Sequence, residues 1–230
     1  MHYVMGDIHN DNIRFETILE KIALSEKDHL YVLGDLFDRC NAHPDPVGVY
    51  FNVLKLKDRV SVIMGNHDLW LADYIDKYYS LPERKRKRLT PYSYNSFEII
   101  KERLTEVDML QLSAFIKTFP LQMSLDIGDE HYLLAHAMTA SPNEEKPSEY
   151  YIMGDDNSRY YNEGINGYIS LCGHTDSSYM SAFAGKFSDD SKPSIWKNEN
   201  NNLIMMDCGC GFESGRLACI CLESKEEYYA

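Results

Sequence analysis

No stretch of this sequence is both long and apolar enough to cross a bilayer, which takes about 20 residues. Met1 leads straight into a strand-like segment rather than the charged, then apolar, start of a signal peptide. A cytoplasmic protein without a membrane partner is therefore expected. Positive charge is scarce: 23 Lys and Arg face 36 Asp and Glu, leaving a net charge of −13 and a pI near 5.0. A nucleic-acid binder needs a basic field to displace counterions from the phosphate backbone, so nucleic acid is excluded as a partner. The same acidity repels small phosphates unless bound divalent cations reverse the field locally. The six cysteines (Cys40, Cys172, Cys208, Cys210, Cys219 and Cys221) include no CxxC pair, which removes zinc-ribbon and thioredoxin-like readings. Two CxC pairs alternate within strand-like runs, where small buried thiols are common, and reduced thiols are expected. No repeat, low-complexity tract or linker divides the chain, so its 230 residues read as one domain, 1–230.

What the sequence does have is punctuation. Three short apolar runs, Tyr3 to Met5, Leu30 to Leu33 and Val60 to Met64, each meet a glycine and a polar cluster: GDIH, GDLFDR and GNHD. Helical patterns lie between them, with Ile18, Leu19, Ile22 and Ala23 on one face of the first and Val49, Val53, Leu54 and Leu56 in the second. Alternating strands and helices predict an α/β fold with mainly parallel strands. From Leu69 to Lys117 the pattern is helical, broken by the basic run Arg84 to Arg88. Gln122 to Ile127 and Tyr132 to Ala135 read as a hairpin delivering His136, and Tyr168 to Cys172 delivers Gly173 and His174. Leu203 to Met206 and Leu217 to Leu222 read as a pair across a Gly-rich turn, in a second sheet packed on the first. Ser141 to Gly167 is polar and reads as an irregular active-site loop.

Asp7, His9, Asp35, Asn66, His67, His136 and His174 all follow predicted strand ends, where α/β sheets place their ligand sites. The remaining histidines, His2, His29, His43 and His131, follow none and read as ordinary. Carboxylates, an amide oxygen and neutral imidazoles make a mixed oxygen and nitrogen donor set suited to manganese, iron or zinc. No GxSxG motif is present, so a serine nucleophile of that kind has no support.

In order, G-D-x-H, G-D-x-x-D-R, G-N-H-[DE], H and G-H resemble the signature of the calcineurin-like metallophosphoesterase superfamily, over nearly the whole chain. Within it, GDLFDR and GNHD look most like the branch of bacterial serine/threonine protein phosphatases and symmetrical dinucleoside tetraphosphatases. The resemblance implies a two-sheet β-sandwich flanked by helices, layered α/β/β/α. It implies two divalent metal ions, manganese first, with Asp7, His9 and Asp35 on one and Asn66, His136 and His174 on the other, bridged by Asp35. It also implies attack by a metal-bridging hydroxide. His67 matches the general acid, Asp38 the carboxylate that orients it, and Arg39 a phosphate-binding arginine; Arg159 lies where relatives supply a second.

Three departures alter the floor near the substrate: Cys40 and Asn10 where glycines are usual, and Met138 where a small residue is. The leading expectation is a phosphomonoesterase of the protein-phosphatase kind. The alternative is a dinucleoside polyphosphate hydrolase, favoured by the aspartate of GNHD and by tyrosines in YIDKYY and SRYY that can stack a nucleobase. A non-catalytic phosphate-binding or scaffold module needs at least one lost ligand, and all six are present. The Arg84–Arg88 run reads first as a solvated face and second as an anion-steering patch.

Overall fold

Each of the first three strands hands the chain to a helix through a glycine. In a computed structural model that describes residues 1–230, β1 (His2–Met5) precedes α1 (Asn12–Ile22), and β2 (His29–Val32) precedes α2 (Pro46–Leu56). Likewise β3 (Val60–Val62) precedes α3 (Asn66–Ser80). Local chemistry starts the helices: the Asp11 and Asp45 side chains accept from the main-chain N–H groups of Arg14 and Gly48, and Pro46 sits in the first turn of α2. The long helical region is four helices, α3 followed by α4 (Glu83–Arg86), α5 (Ser96–Arg103) and α6 (Glu106–Ile116). Thr105 and Asp108 form a capping box at the start of α6.

The expected hairpin is β4 (Gln122–Ile127) and β5 (Glu130–Ala135). The loop expected to be irregular instead contains α7 (Ser148–Met153) and α8 (Ser158–Glu163). Its polar composition hides Tyr150, Ile152 and Tyr160, which are buried. Then come β6 (Ile169–Cys172), β7 (Gly185–Phe187), β8 (Trp196–Asn198), β9 (Leu203–Met205), β10 (Ala218–Cys221) and β11 (Glu227–Tyr229). The expected pairing of the two tail runs is wrong. β9 pairs with β6 and β8, whereas β10 pairs with β1 and β11. Both runs are fully buried, so neither carries the one-sided pattern that would identify its partner. The glycine-rich turn carries the chain between the sheets, and a Cβ on Gly215 would lie 1.7 Å from the Gly209 carbonyl oxygen.

Two mixed sheets result, ordered β11-β10-β1-β2-β3 and β4-β5-β6-β9-β8-β7. Period-2 alternation sorts the core into layers. Tyr3, Met5, Leu30, Val32, Cys219 and Cys221 face the helices α1 to α6. Val4, Tyr31, Leu33, Leu134, Leu171 and Ile220 fill the space between the sheets. On the far side Tyr150 and Tyr160 cover Trp196, Leu203 and Met205. This is the α/β/β/α sandwich, and all six cysteines are free and buried in it. No helix is long and apolar enough to cross a membrane.

Candidate active site

Six strand exits meet at one edge of the sandwich. Their loops hold seven of the eleven non-glycine residues with left-handed backbone: His9, Asn10, Asp35, Asp38, Arg39, Cys40 and His174. Such conformations cost on the order of 1–2 kcal/mol each outside glycine, so their concentration marks where packing has been overruled by function. It also explains two departures. Asn10 and Cys40, two of the departures from the resembled signature, adopt φ of 61° and 49°, a region that favours glycine. Asn10 offsets part of that cost, since its side chain donates to Ser96 Oγ and Asn95 Oδ1 and accepts from Ser96 Oγ.

The proposed metal ligands converge in two triads that share Asp35: Asp7, His9 and Asp35, and Asp35, His136 and His174. His9 Nε2 lies 3.9 Å from Asp7 Oδ2 and 3.7 Å from Asp35 Oδ2. His136 Nε2 lies 3.4 Å from Asp35 Oδ2 and 3.0 Å from Asn66 Oδ1, which is 2.9 Å from His174 Nδ1. The tautomers of His9 and His136 are set from behind. Nδ1 of His9 donates to the Phe37 carbonyl at 3.0 Å, and Nδ1 of His136 to the Leu33 carbonyl at 2.7 Å, turning both Nε2 lone pairs inward.

These residues fit divalent cations on two grounds. His9 Nε2 is fully buried with no hydrogen-bond partner, an orphaned acceptor that a cation would satisfy. The histidines hold Asp35 below the usual carboxylate range against its burial, but two other buried acids of the site are undercompensated. Burial, with repulsion from Asp207 and Asp35, raises Asp7 well above the carboxylate range. Burial likewise lifts Asp207 to about 7. Against its own burial, His136 is driven to about 10 by Asp35 and Asp7, while burial lowers His9 to about 3. The cluster thus draws a proton onto one of its own ligands in place of external positive charge.

Beside the triads His67 and Asp38 form a buried dyad, with Nδ1 to Oδ2 at 2.9 Å. Asp38 also accepts from the Tyr92 hydroxyl at 2.7 Å and from Ser96 N–H at 3.3 Å, which fixes its carboxylate. The His67 main-chain N–H donates to Asp35 Oδ1 at 3.0 Å, so the dyad and the shared ligand move together. Arg39 is half-buried with its guanidinium 5.3 Å from the Phe212 ring centroid, and its main-chain carbonyl accepts from Asn95 Nδ2 at 2.6 Å. Arg159 is exposed on α8 and paired with Glu163 at 2.8 Å, because buried Tyr160 sets that helix's inner face.

YIDKYY and SRYY supply packing. Tyr74 and Tyr78 meet Phe97, and the Tyr160 hydroxyl meets Thr139. In the basic run, Arg86 lies over Tyr79 and pairs with Glu106. Sequence reasoning missed Asp207, which is 99% buried and follows the exit of β9. The strand-exit signal was there, hidden by reading the tail as a hairpin. It also missed Asp68, whose carboxylate accepts from Gly65 and Leu36 N–H and so ties GNHD to GDLFDR, along with Tyr92 and Ser96.

Over residues 3–186 the chain matches the calcineurin-like phosphoesterase family, and it belongs to that family. Among curated relatives, it is 30% identical over 116 residues to the symmetrical bis(5'-nucleosyl)-tetraphosphatase of Buchnera aphidicola subsp. Schizaphis graminum, covering 50% of this chain and 39% of the relative. It is 43% identical over 70 residues to the protein of that name from Acidovorax sp., covering 30% and 24%. The matches thus span well under half the length of these relatives. Of solved structures, one with the working name diadenosine tetraphosphatase aligns with a TM-score of 0.64 at 17% identity, covering 100% of this chain and 92% of that one. A protein serine/threonine phosphatase from Saccharomyces cerevisiae aligns at 0.57 and 11%, covering 100% and 78%. Those two likenesses establish the fold.

Proposed function

We propose that this chain is a metal-dependent hydrolase of phosphoanhydrides, acting on a dinucleoside polyphosphate. The observation that carries it is the pair of triads sharing buried Asp35, with the His67–Asp38 dyad tethered to the same carboxylate. The names of the curated relatives favour the dinucleotide over the phosphoprotein that the sequence put first.

Asp7, His9 and Asp35 would hold one divalent cation, and Asn66, His136 and His174, with Asp35, the second. Two cations held so supply an activated water and polarise the phosphoryl oxygens. Arg39 grips the phosphoryl group through its planar fork. His67 keeps Nδ1 on Asp38, leaving Nε2 to give its proton to the departing oxygen. A mixed donor set favours manganese, iron or zinc. The test is mass spectrometry of products from diadenosine tetraphosphate and from a phosphoserine peptide, with manganese supplied. Adenosine diphosphate as the nucleotide product is expected. Turnover of the peptide with the tetraphosphate untouched would restore the monoesterase reading.

A further inference from the structure

Two large, partly exposed aromatic side chains stand against the proposed proton donor. Trp70 follows His67 by three positions in the first turns of α3, so both project from one helix face. Its ring lies 5.0 Å from the imidazole, and Tyr94, from the segment before α5, lies 4.4 Å from it. Trp70 and Tyr94 are nearly parallel, 5° between planes with centroids 5.8 Å apart. Both are more than a third exposed, at 37% and 39%, while His67 is 2% exposed. A shallow cavity of about 260 Å³, lined by Trp70, Tyr92, Ser93 and Tyr94, opens beside them. Phe212, also exposed, already faces the Arg39 guanidinium.

We propose that Trp70 and Tyr94 form a stacking station for the nucleobase of the leaving nucleotide. The inference rests on the dinucleotide reading above and names where that substrate's base goes. His67 serves the departing oxygen, so the aromatic surface that begins at His67 and runs outward lies on the leaving-group side. A nucleobase suits it for electrostatic reasons. The chain carries a net charge of −13, so away from the cations and Arg39 the neutral base is the part of a nucleotide it can hold. Flat aromatic faces bind every base with little sequence preference. Discrimination among nucleosides is accordingly expected to be weak.

Fluorescence separates this role from simple support of the His67 ring. The chain has two tryptophans, and Trp196 is buried in the second sheet, so a base reaching the surface reports through Trp70. Zinc-loaded protein, free of paramagnetic quenching, is titrated with methylene-bridged diadenosine tetraphosphate and with base-free methylenediphosphonate. Saturable quenching by the first alone, lost in Trp70→Phe, is expected. In kinetics Trp70→Ala should raise KM for diadenosine tetraphosphate roughly 5- to 150-fold. KM for inorganic tripolyphosphate should stay within roughly twofold of the parent, and Trp70→Phe and Tyr94→Phe should recover most of the affinity. Equal losses on the two substrates, or quenching that survives in Trp70→Phe, would overturn the station while leaving the dinucleotide reading intact. Unmutated protein that neither cleaves diadenosine tetraphosphate nor binds its analogue overturns both.

Discussion

A single methyl group at Gly173 should disable the metal centre without unfolding the protein. A Cβ at this position would lie 2.0 Å from Asp7 Oδ1. Restoring an ordinary contact of 3.4 Å moves that oxygen by about 1.4 Å. The clash is with the far end of a side chain, so the fold can yield; the main-chain bond from Gly173 N–H to the His136 carbonyl, 2.8 Å, need not break. A metal ligand has no such slack, since bond lengths hold to within about 0.2 Å. Gly173→Ala should therefore lower metal occupancy and cut activity by roughly 10²-fold, the usual penalty for a misplacement of about 1 Å. The melting temperature of the metal-free protein should hardly change. Gly128→Ala is the mirror control. That glycine has φ of +60° in the β4–β5 turn with nothing within 4 Å of a new Cβ. Alanine there costs about 1–2 kcal/mol of backbone strain, a fall in melting temperature of roughly 2–8 °C with activity kept. Elemental analysis, calorimetry and turnover measured on both variants decide the matter. Full metal content and activity in Gly173→Ala would mean that Asp7 is not a ligand.

Asp35→Asn should abolish activity in a folded protein, whereas His29→Ala, which removes a bond to Ser61 and a ring contact with Tyr31, should do little; equal losses would void the ligand assignment. Chelation should likewise remove activity and manganese restore it, read by turnover before and after dialysis. His67→Ala should slow a phosphoserine peptide by roughly 10²–10⁴-fold. It should slow nitrophenyl phosphate and the tetraphosphate far less, since their leaving oxygens are weakly basic; uniform losses would require a different acid. Arg39→Ala should raise KM at least tenfold, while Arg159→Ala, which breaks only an exposed pair with Glu163, should stay within twofold of the parent.

The clustering of the candidate ligands was legible because each follows an apolar run, all but His136 through a glycine, a local pattern that survives without any knowledge of partners. His136 and His174 follow the neighbouring parallel strands β5 and β6, so their register brings those two together, whereas Asn66 follows β3 of the other sheet and joins them only because the two sheets pack face to face. Non-local facts were not legible. β9 and β10 look alike in sequence because both are buried on two faces, so nothing local says that they belong to different sheets. Asp207 was lost with that error. The side of α8 on which Arg159 falls is set by Tyr160 burying its hydroxyl against Thr139 and Cys172, again a long-range contact. The Trp70–Tyr94 pair unites residues on separate elements and has no sequence signature.

The place of β10, between β11 and β1, has a consequence for biosynthesis. β1 carries Asp7 and His9 at its exit. Its neighbour on that side, with Tyr3 opposite Cys221, is made more than 200 residues later. Until then one margin of β1 exposes unpaired N–H and C=O groups between two apolar faces, an adhesive template for other nascent chains. Chaperone dependence during translation should accordingly end only when residues 218–221 emerge. Ribosome-stalled chains arrested before and after that point should differ sharply in protease resistance.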